Sequence, residues 1–191
     1  MRLSTDLDAI DLRILDVLQG NGRTQMGTLA EMVGLSAPAV TERVRKLEER
    51  GVIVGFTAQL SPLPLGLDIA AFIMVRVDSS RHYPGFITRV TDHPEILECH
   101  AITGDASHLL KIRTRNTTTL EALLGEIQKW PGVIGTRTSL VLSTHKENLR
   151  LHTGHLAGII AEERNNGERK PAARRARTAR GWQAAGLHDR V

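Results

Sequence analysis

Apolar residues recur at helical spacing through the first third of the chain and then give way to alternation, and this change of period divides the sequence into parts. From Leu7 to Leu18 the set Leu7, Ile10, Ile14, Leu15 and Leu18 lies on one helical face, and Asn21-Gly22 supplies a stop. A second, shorter helix carries Met26, Leu29, Ala30 and Val33, with Thr24 as its expected cap and Gly34 as its end. Ser36 is the expected cap of a third. Pro38 falls in its first turn, where a missing amide hydrogen costs nothing, and Val40, Val44 and Leu47 form its buried stripe up to Gly51. The second and third helices are joined by Gly34-Leu35-Ser36, so the spacing predicts a helix-turn-helix.

After Gly51 the pattern becomes extended. Val52, Ile53, Val54, Phe56, Ala58 and Leu60 predict a strand or wing, and Ser61-Pro62-Leu63-Pro64-Leu65-Gly66 breaks regular structure. Beyond that break the expected elements are a strand over Ile69 to Val77, a helix over Tyr83 to Thr91 and a strand from Ile96 to Thr103. A tight Gly104-Asp105 loop then leads to a strand from His108 to Thr114, a helix carrying Leu120, Leu123, Leu124 and Ile127, and a last strand from Val133 to Ser143. The order βαββαβ is that of a ferredoxin-like α+β sandwich, an antiparallel sheet with two helices on one face. The expected division is therefore 1–60, a winged helix-turn-helix domain with its connecting strand; 61–146, the ferredoxin-like domain; and 147–191, a basic, disordered C-terminal tail. Within that tail Leu149, Leu156, Ile159 and Ile160 could support a short helix before Asn165-Asn166-Gly167.

Composition narrows the classes. The 191 residues are 41% apolar but only 3% aromatic, so the cores must be built from Leu, Ile, Val and Ala. One cysteine, Cys99, excludes an internal disulfide framework and points to a reducing, cytoplasmic setting. The segment Met1 to Asp6 lacks the apolar region of a secretory signal, and no apolar run approaches the roughly 18 to 20 residues of a membrane span, so no membrane partner is expected. The formal charge of +4 is unevenly placed: Met1 to Arg150 holds 17 Lys and Arg against 17 Asp and Glu, and Leu151 to Val191 holds 8 against 4. The run Arg169 to Arg180 has six basic residues and no acid, a composition suited to non-specific phosphate contacts. Global charge therefore says little about residues 1–150, where the motifs must speak.

Those motifs resemble the Lrp/AsnC (leucine-responsive and asparagine-responsive, "feast/famine") transcription regulators of bacteria and archaea. The resemblance rests on Leu7-Asp8 with Asp11 and Ile14-Leu15, on Leu35 to Val40 leading into Arg43 to Glu48, and on Gly51-Val52-Ile53 with Gly55-Phe56. It continues through Glu98-Cys99, Thr103-Gly104-Asp105 and Pro131-Gly132-Val133. It implies a DNA-binding domain joined by a strand to a ferredoxin-like (RAM-type) domain that assembles dimers and higher oligomers, tetramer or octamer, and binds amino acids. The expected partners are double-stranded DNA and a small-molecule effector, an amino acid, with no cofactor and no enzymatic activity.

A recognition helix enters the major groove by its N-terminal residues. That places Ser36, Ala37, Pro38, Ala39 and Thr41 at or near the DNA, flanked by Glu42, Arg43, Arg45 and Lys46. Arg43 is the candidate for a bidentate guanine contact, and Arg45 and Lys46 for phosphates. Residues 1–60 hold seven basic against eight acidic side chains, so one copy binds weakly and the pairing of two recognition helices is needed. The resemblance places effector sensing at Thr103, Gly104, Asp105, Ala106, Ser107 and His108, at interfaces between dimers, with Thr136 and Thr138 as hydroxyl donors from the last strand. Gly104 permits close backbone approach and an acidic side chain suits an ammonium group. The family's second acidic residue is here Ser107, and its following aromatic is His108.

Other chemistries are less well provided for. His152 and His155 are spaced i, i+3, but without cysteine or carboxylate partners at ligand spacing no metal site is expected. Two alternatives share the architecture: a decarboxylase of the sirohaem type, and a ligand-sensing oligomer that has lost DNA binding.

Overall fold

A computed structural model describes residues 7–154, 156 and 158. The chain forms two compact units, one of residues 7–57 together with 149–154, the other of 58–148.

The first unit is built on three helices: α1 (Ala9–Gly20), α2 (Met26–Val33) and α3 (Ala37–Glu49). Asp8 caps α1 in a reciprocal box. Its carboxylate accepts from the Asp11 amide at 2.8 Å, and the Asp11 carboxylate accepts from the Asp8 amide at 3.1 Å. Asn21 ends the helix by donating its amide hydrogen to Val17 O. Thr24 does not cap α2 as the pattern predicts. Its hydroxyl donates to Asn21 O within the turn, and Gln25 takes the cap position without a side-chain bond. Gly34 then turns the chain in the left-handed region, φ 75°, which a side chain there would resist. Ser36 stands at the cap of α3 with no side-chain bond of its own, and Pro38 lies in the first turn as expected. Ile14, Leu18, Leu29, Ala30, Val33, Val40, Val44 and Leu47 make the core, closed by Leu7, Ile10, Leu15, Met26, Val52 and Ile53.

The expected strand over Val52 to Leu60 is a correction. Among the described residues it pairs with no other segment, and from Val54 to Leu60 it is exposed. A strand exists only with a ladder partner, and alternation alone does not supply one. The segment after the second unit also departs from a plain tail. Gln19 holds the Leu151 backbone by two bonds, Nε2 to Leu151 O at 3.1 Å and Leu151 N to Oε1 at 2.7 Å, and Arg150 pairs with Asp16 at 2.7 Å. Leu12 and Thr153 are buried along this side of α1. The remainder of the tail, including the basic run Arg169 to Arg180 and the expected helix through Ile160, lies outside the described residues.

The second unit carries β1 (Ile69–Val77), α4 (Tyr83–Asp92), β2 (Ile96–Ala101), β3 (His108–Thr114), α5 (Thr117–Ile127) and β4 (Val133–Leu140). All three pairings are antiparallel and the sheet order is β2-β3-β1-β4, the ferredoxin-like arrangement. Ala71, Ile73, Val75 and Val77 of β1 with Leu110 and Ile112 of β3 face α4 and α5, where Phe86, Val90, Leu123, Ile127 and Trp130 complete the core. Asn116 caps α5 in a second reciprocal box with Thr119. Two strands end earlier than the alternation suggests. β2 stops at Ala101, where Ile102 N closes the hairpin onto Ser107 O, and the β4 ladder stops at Leu140, opposite Ala71, with one last bond from Val141 N to Ala70 O.

Candidate DNA interface and effector pocket

Helix α3 presents two faces. Val40, Val44 and Leu47 are sealed in the core, while Ser36, Pro38, Ala39, Thr41, Glu42, Arg45 and Lys46 are exposed and Ala37 half-buried. The Thr41 hydroxyl donates back to Ala37 O at 2.8 Å. The exposed charges are cross-paired. Arg45 spans Glu42, at 2.7 Å, and Glu49, and Lys46 lies 3.5 Å from Glu42. The hydrogen bond from Arg45, helped by its charge and that of Lys46, pulls the Glu42 carboxyl down to about 2, and the same pairing raises Arg45. In the free protein this face is therefore an internally neutralised lattice.

Arg43 sits apart from that lattice. Its Nη1 lies 2.8 Å from Asp8 Oδ2 and 2.7 Å from Asp11 Oδ1, so the guanidinium bridges α3 to the capping box of α1. Burial pushes Asp8 up, but the Asp11 amide and Arg43 outweigh it and hold the carboxyl below its ordinary value. Hydrogen bonds from Asp11 and Asp8 to the guanidinium raise Arg43 in turn. The residue that sequence spacing singles out for a base contact is thus engaged within the domain. Its partners Asp8 and Asp11 stood in the sequence only as part of the stretches that carry the family resemblance, neither as a cap nor as its counterions.

On the second unit, an open pocket of about 410 Å³ is lined by Met74, Arg76, Asp105, Ala106, Gly135, Thr136 and Arg137. It brings together Asp105, Ala106 and Thr136 of the expected effector set. Thr103 and Gly104 stand exposed in the same loop, Gly104 at φ 108°. Ser107 turns the other way. Its hydroxyl donates to Val75 O at 3.1 Å and accepts from Val77 N at 3.0 Å, tying the loop to β1. His108 is buried between Tyr83 and Phe86, ring centroids 4.8 and 4.7 Å away, and burial pushes its imidazole below the ordinary value. Thr138 stands opposite Ile73, on the helix-covered face, and the Thr136 hydroxyl accepts from Gln128 at 2.9 Å. Met74, Arg76, Gly135 and Arg137 were absent from the expected set. Alternation along β1 and β4 would have turned them away from the helices, but only the β1–β4 register puts them side by side. Among the described residues no group of three or more His, Cys, Asp or Glu side chains is arranged to hold a metal ion, and no helix is long and apolar enough to cross a membrane.

Comparison with known proteins agrees with both halves. Residues 7–54 match the model for a winged helix-turn-helix DNA-binding domain and residues 70–151 that for the Lrp/AsnC ligand-binding domain. The chain is 41% identical over 145 residues to the HTH-type transcriptional regulator FL11 of Pyrococcus horikoshii, covering 76% of this chain and 95% of that protein. It is 39% identical over 153 residues to the leucine-responsive regulatory protein of Escherichia coli, covering 78% and 93%. Among solved structures, a transcriptional regulator from Neisseria meningitidis in complex with L-Met superposes with a TM-score of 0.75 at 33% identity, covering 78% of this chain and 99% of that one. These relatives are transcriptional regulators. The chain belongs to the Lrp/AsnC family of DNA-binding transcriptional regulators.

Proposed function

We propose that this regulator reads specific double-stranded DNA sites through the N-terminal half of α3 and is controlled by an amino-acid effector bound beside the Thr103 to Ser107 loop, at an interface between copies. Ser36, Ala37, Pro38, Ala39 and Thr41 face base edges, Glu42, Arg45 and Lys46 flank them toward phosphates, and Arg43 holds α3 against α1. The observation that carries this reading is the exposure of Ser36, Pro38, Ala39, Thr41, Glu42, Arg45 and Lys46 on a helix whose opposite face is locked into the core. Binding requires the Arg45 and Lys46 cations to exchange Glu42 and Glu49 for phosphates, a trade that weakens one copy and favours a homodimer or higher homo-oligomer. The effector reading is supported by the concave site around Asp105 and by the L-Met complex of the Neisseria relative. The regulator acts in the cytoplasm, where its DNA is.

The test measures full-length protein on its own upstream DNA and on random DNA across a salt series, with and without an amino-acid panel. A site preference that persists at high salt, shifted by one amino acid, supports the proposal. Equal and steeply salt-dependent binding to both DNAs refutes sequence-specific control.

A further inference from the structure

The pocket beside Asp105 has a charge pattern that names a ligand class. Arg76 and Met74 on β1 pair with Gly135 and Arg137 on β4, so the two guanidiniums are diagonal neighbours on the sheet face turned away from α4 and α5. Arg76 lies over Gly135 of β4, its Nη2 3.8 Å from where a Cβ at that position would stand. Arg137 reaches back across β1, its Nη2 3.1 Å from Met74 Sδ. Other cations of this face are covered by carboxylates of the same chain. Lys111 lies 3.1 Å from Glu98 and also pairs with Glu147, and Arg113 lies 3.6 Å from Glu147. Among the described residues neither Arg76 nor Arg137 has a carboxylate within salt-bridge distance. Asp105 is the one acid in the pocket lining.

We infer that this pocket takes an α-amino acid with a second carboxylate, of the aspartate or glutamate class. The inference deepens the effector reading above and rests on it. Two guanidiniums and one carboxylate leave the lining with one positive charge. A ligand with one ammonium and two carboxylates carries one net negative charge and satisfies every member: Asp105 takes the ammonium, and Arg76 and Arg137 each take a carboxylate with their paired N–H donors. A neutral amino acid supplies only one carboxylate and leaves one guanidinium without a counterion. Ser107 fits this account. Its hydroxyl is used on β1, so the loop offers a single acid for a single ammonium.

The experiment is calorimetric titration of the full-length protein with L-glutamate, L-aspartate, L-glutamine, L-asparagine, L-leucine and L-methionine, repeated with Arg76→Gln and Arg137→Gln. The expected result is binding of an acidic amino acid about ten- to hundredfold tighter than of its amide, the worth of one charge-assisted contact. Either substitution should abolish that preference in a protein whose circular dichroism and melting match the parent. A neutral amino acid that binds as tightly as glutamate and aspartate overturns the inference and leaves amino-acid sensing intact. An acidic preference that survives both substitutions places the site elsewhere and also overturns it. If none of the six binds, the effector reading falls with it. If none binds and the substitutions change the oligomeric state, the arginines serve contacts between copies instead.

Discussion

Replacing Arg43 by Met keeps the aliphatic stem and removes the charge that joins α3 to α1. Two charge-assisted hydrogen bonds are lost, at 2.8 and 2.7 Å, and the Asp8 and Asp11 carboxylates are left facing each other. Well-shielded bonds of this kind contribute ~1.5–3 kcal/mol each. The Asp11 side chain is only 9% exposed, but Arg43 and Asp8 are 31% and 32% exposed. Solvent screening at that exposure removes roughly half. The expected cost is therefore about 2 kcal/mol of stability in the first unit. The sign with pH follows from Asp8. Its carboxyl is held below the ordinary value, so the stabilisation is present above the ordinary carboxylate range and is lost as pH falls through the lowered value. The gap between parent and Arg43→Met should close in acid. Urea melts followed by helical circular dichroism at neutral and acid pH measure this, with Trp130, buried in the core of the second unit, as an internal control in a Trp182→Phe background. In an Asp11→Asn background the same substitution should cost less, because the bond to residue 11 has already lost its charge assistance. On DNA, a bridging role predicts weakening by a similar factor for every sequence. The reasoning is refuted if Arg43→Met leaves the melts unchanged at every pH and alters preference at a single base pair, the signature of direct readout.

Four further outcomes follow from other contacts. Glu42→Gln releases Arg45 and Lys46 from their common partner, so the salt dependence of DNA binding should steepen by about one contact in slope; an unchanged slope would mean that these cations never reach phosphate. In the parent, the Glu42 side chain should titrate near 2 when followed by NMR. Gly132→Ala should destabilise the second unit by more than ~2 kcal/mol. Residue 132 lies at φ 82°, which opposes a side chain by ~1–2 kcal/mol, and a Cβ there would come within 2.3 Å of His82 Nδ1. Thermal melts of Gly132→Ala, His82→Ala and the double variant should give a combined loss smaller than the sum; strict additivity would contradict the clash. His108 is pushed down by burial between Tyr83 and Phe86, so its unfolded state binds a proton first. Stability of the second unit should fall as pH drops below the ordinary histidine value, and His108→Phe should flatten that dependence in melts between pH ~7 and ~5.

Much of the architecture is written locally. Helical and alternating periods are properties of neighbouring residues, and they mark α1 to α5, β1 and β3 close to where the structure has them. The Gly34 turn, the stop at Asn21-Gly22, the break at Ser61 to Gly66 and the βαββαβ order belong to the same class. From these, with the Thr103-Gly104-Asp105 and Leu35 to Glu48 motifs, the family is readable before any coordinates. What only the tertiary structure decided is who meets whom. Arg43 finds Asp11 and Asp8 across 32 and 35 residues of chain, and no period in the sequence encodes that pairing. Val52 to Leu60 alternates like a strand yet lacks a ladder among the described residues, because a strand is a property of a pair. Ser107 and His108 belong to the effector motif by position, but the hairpin geometry turns one onto β1 and the other into the core. The β1–β4 register brings Arg76 and Arg137 together beside Asp105. Local periodicity sets which face a residue occupies; long-range register and packing set the charges it finds there.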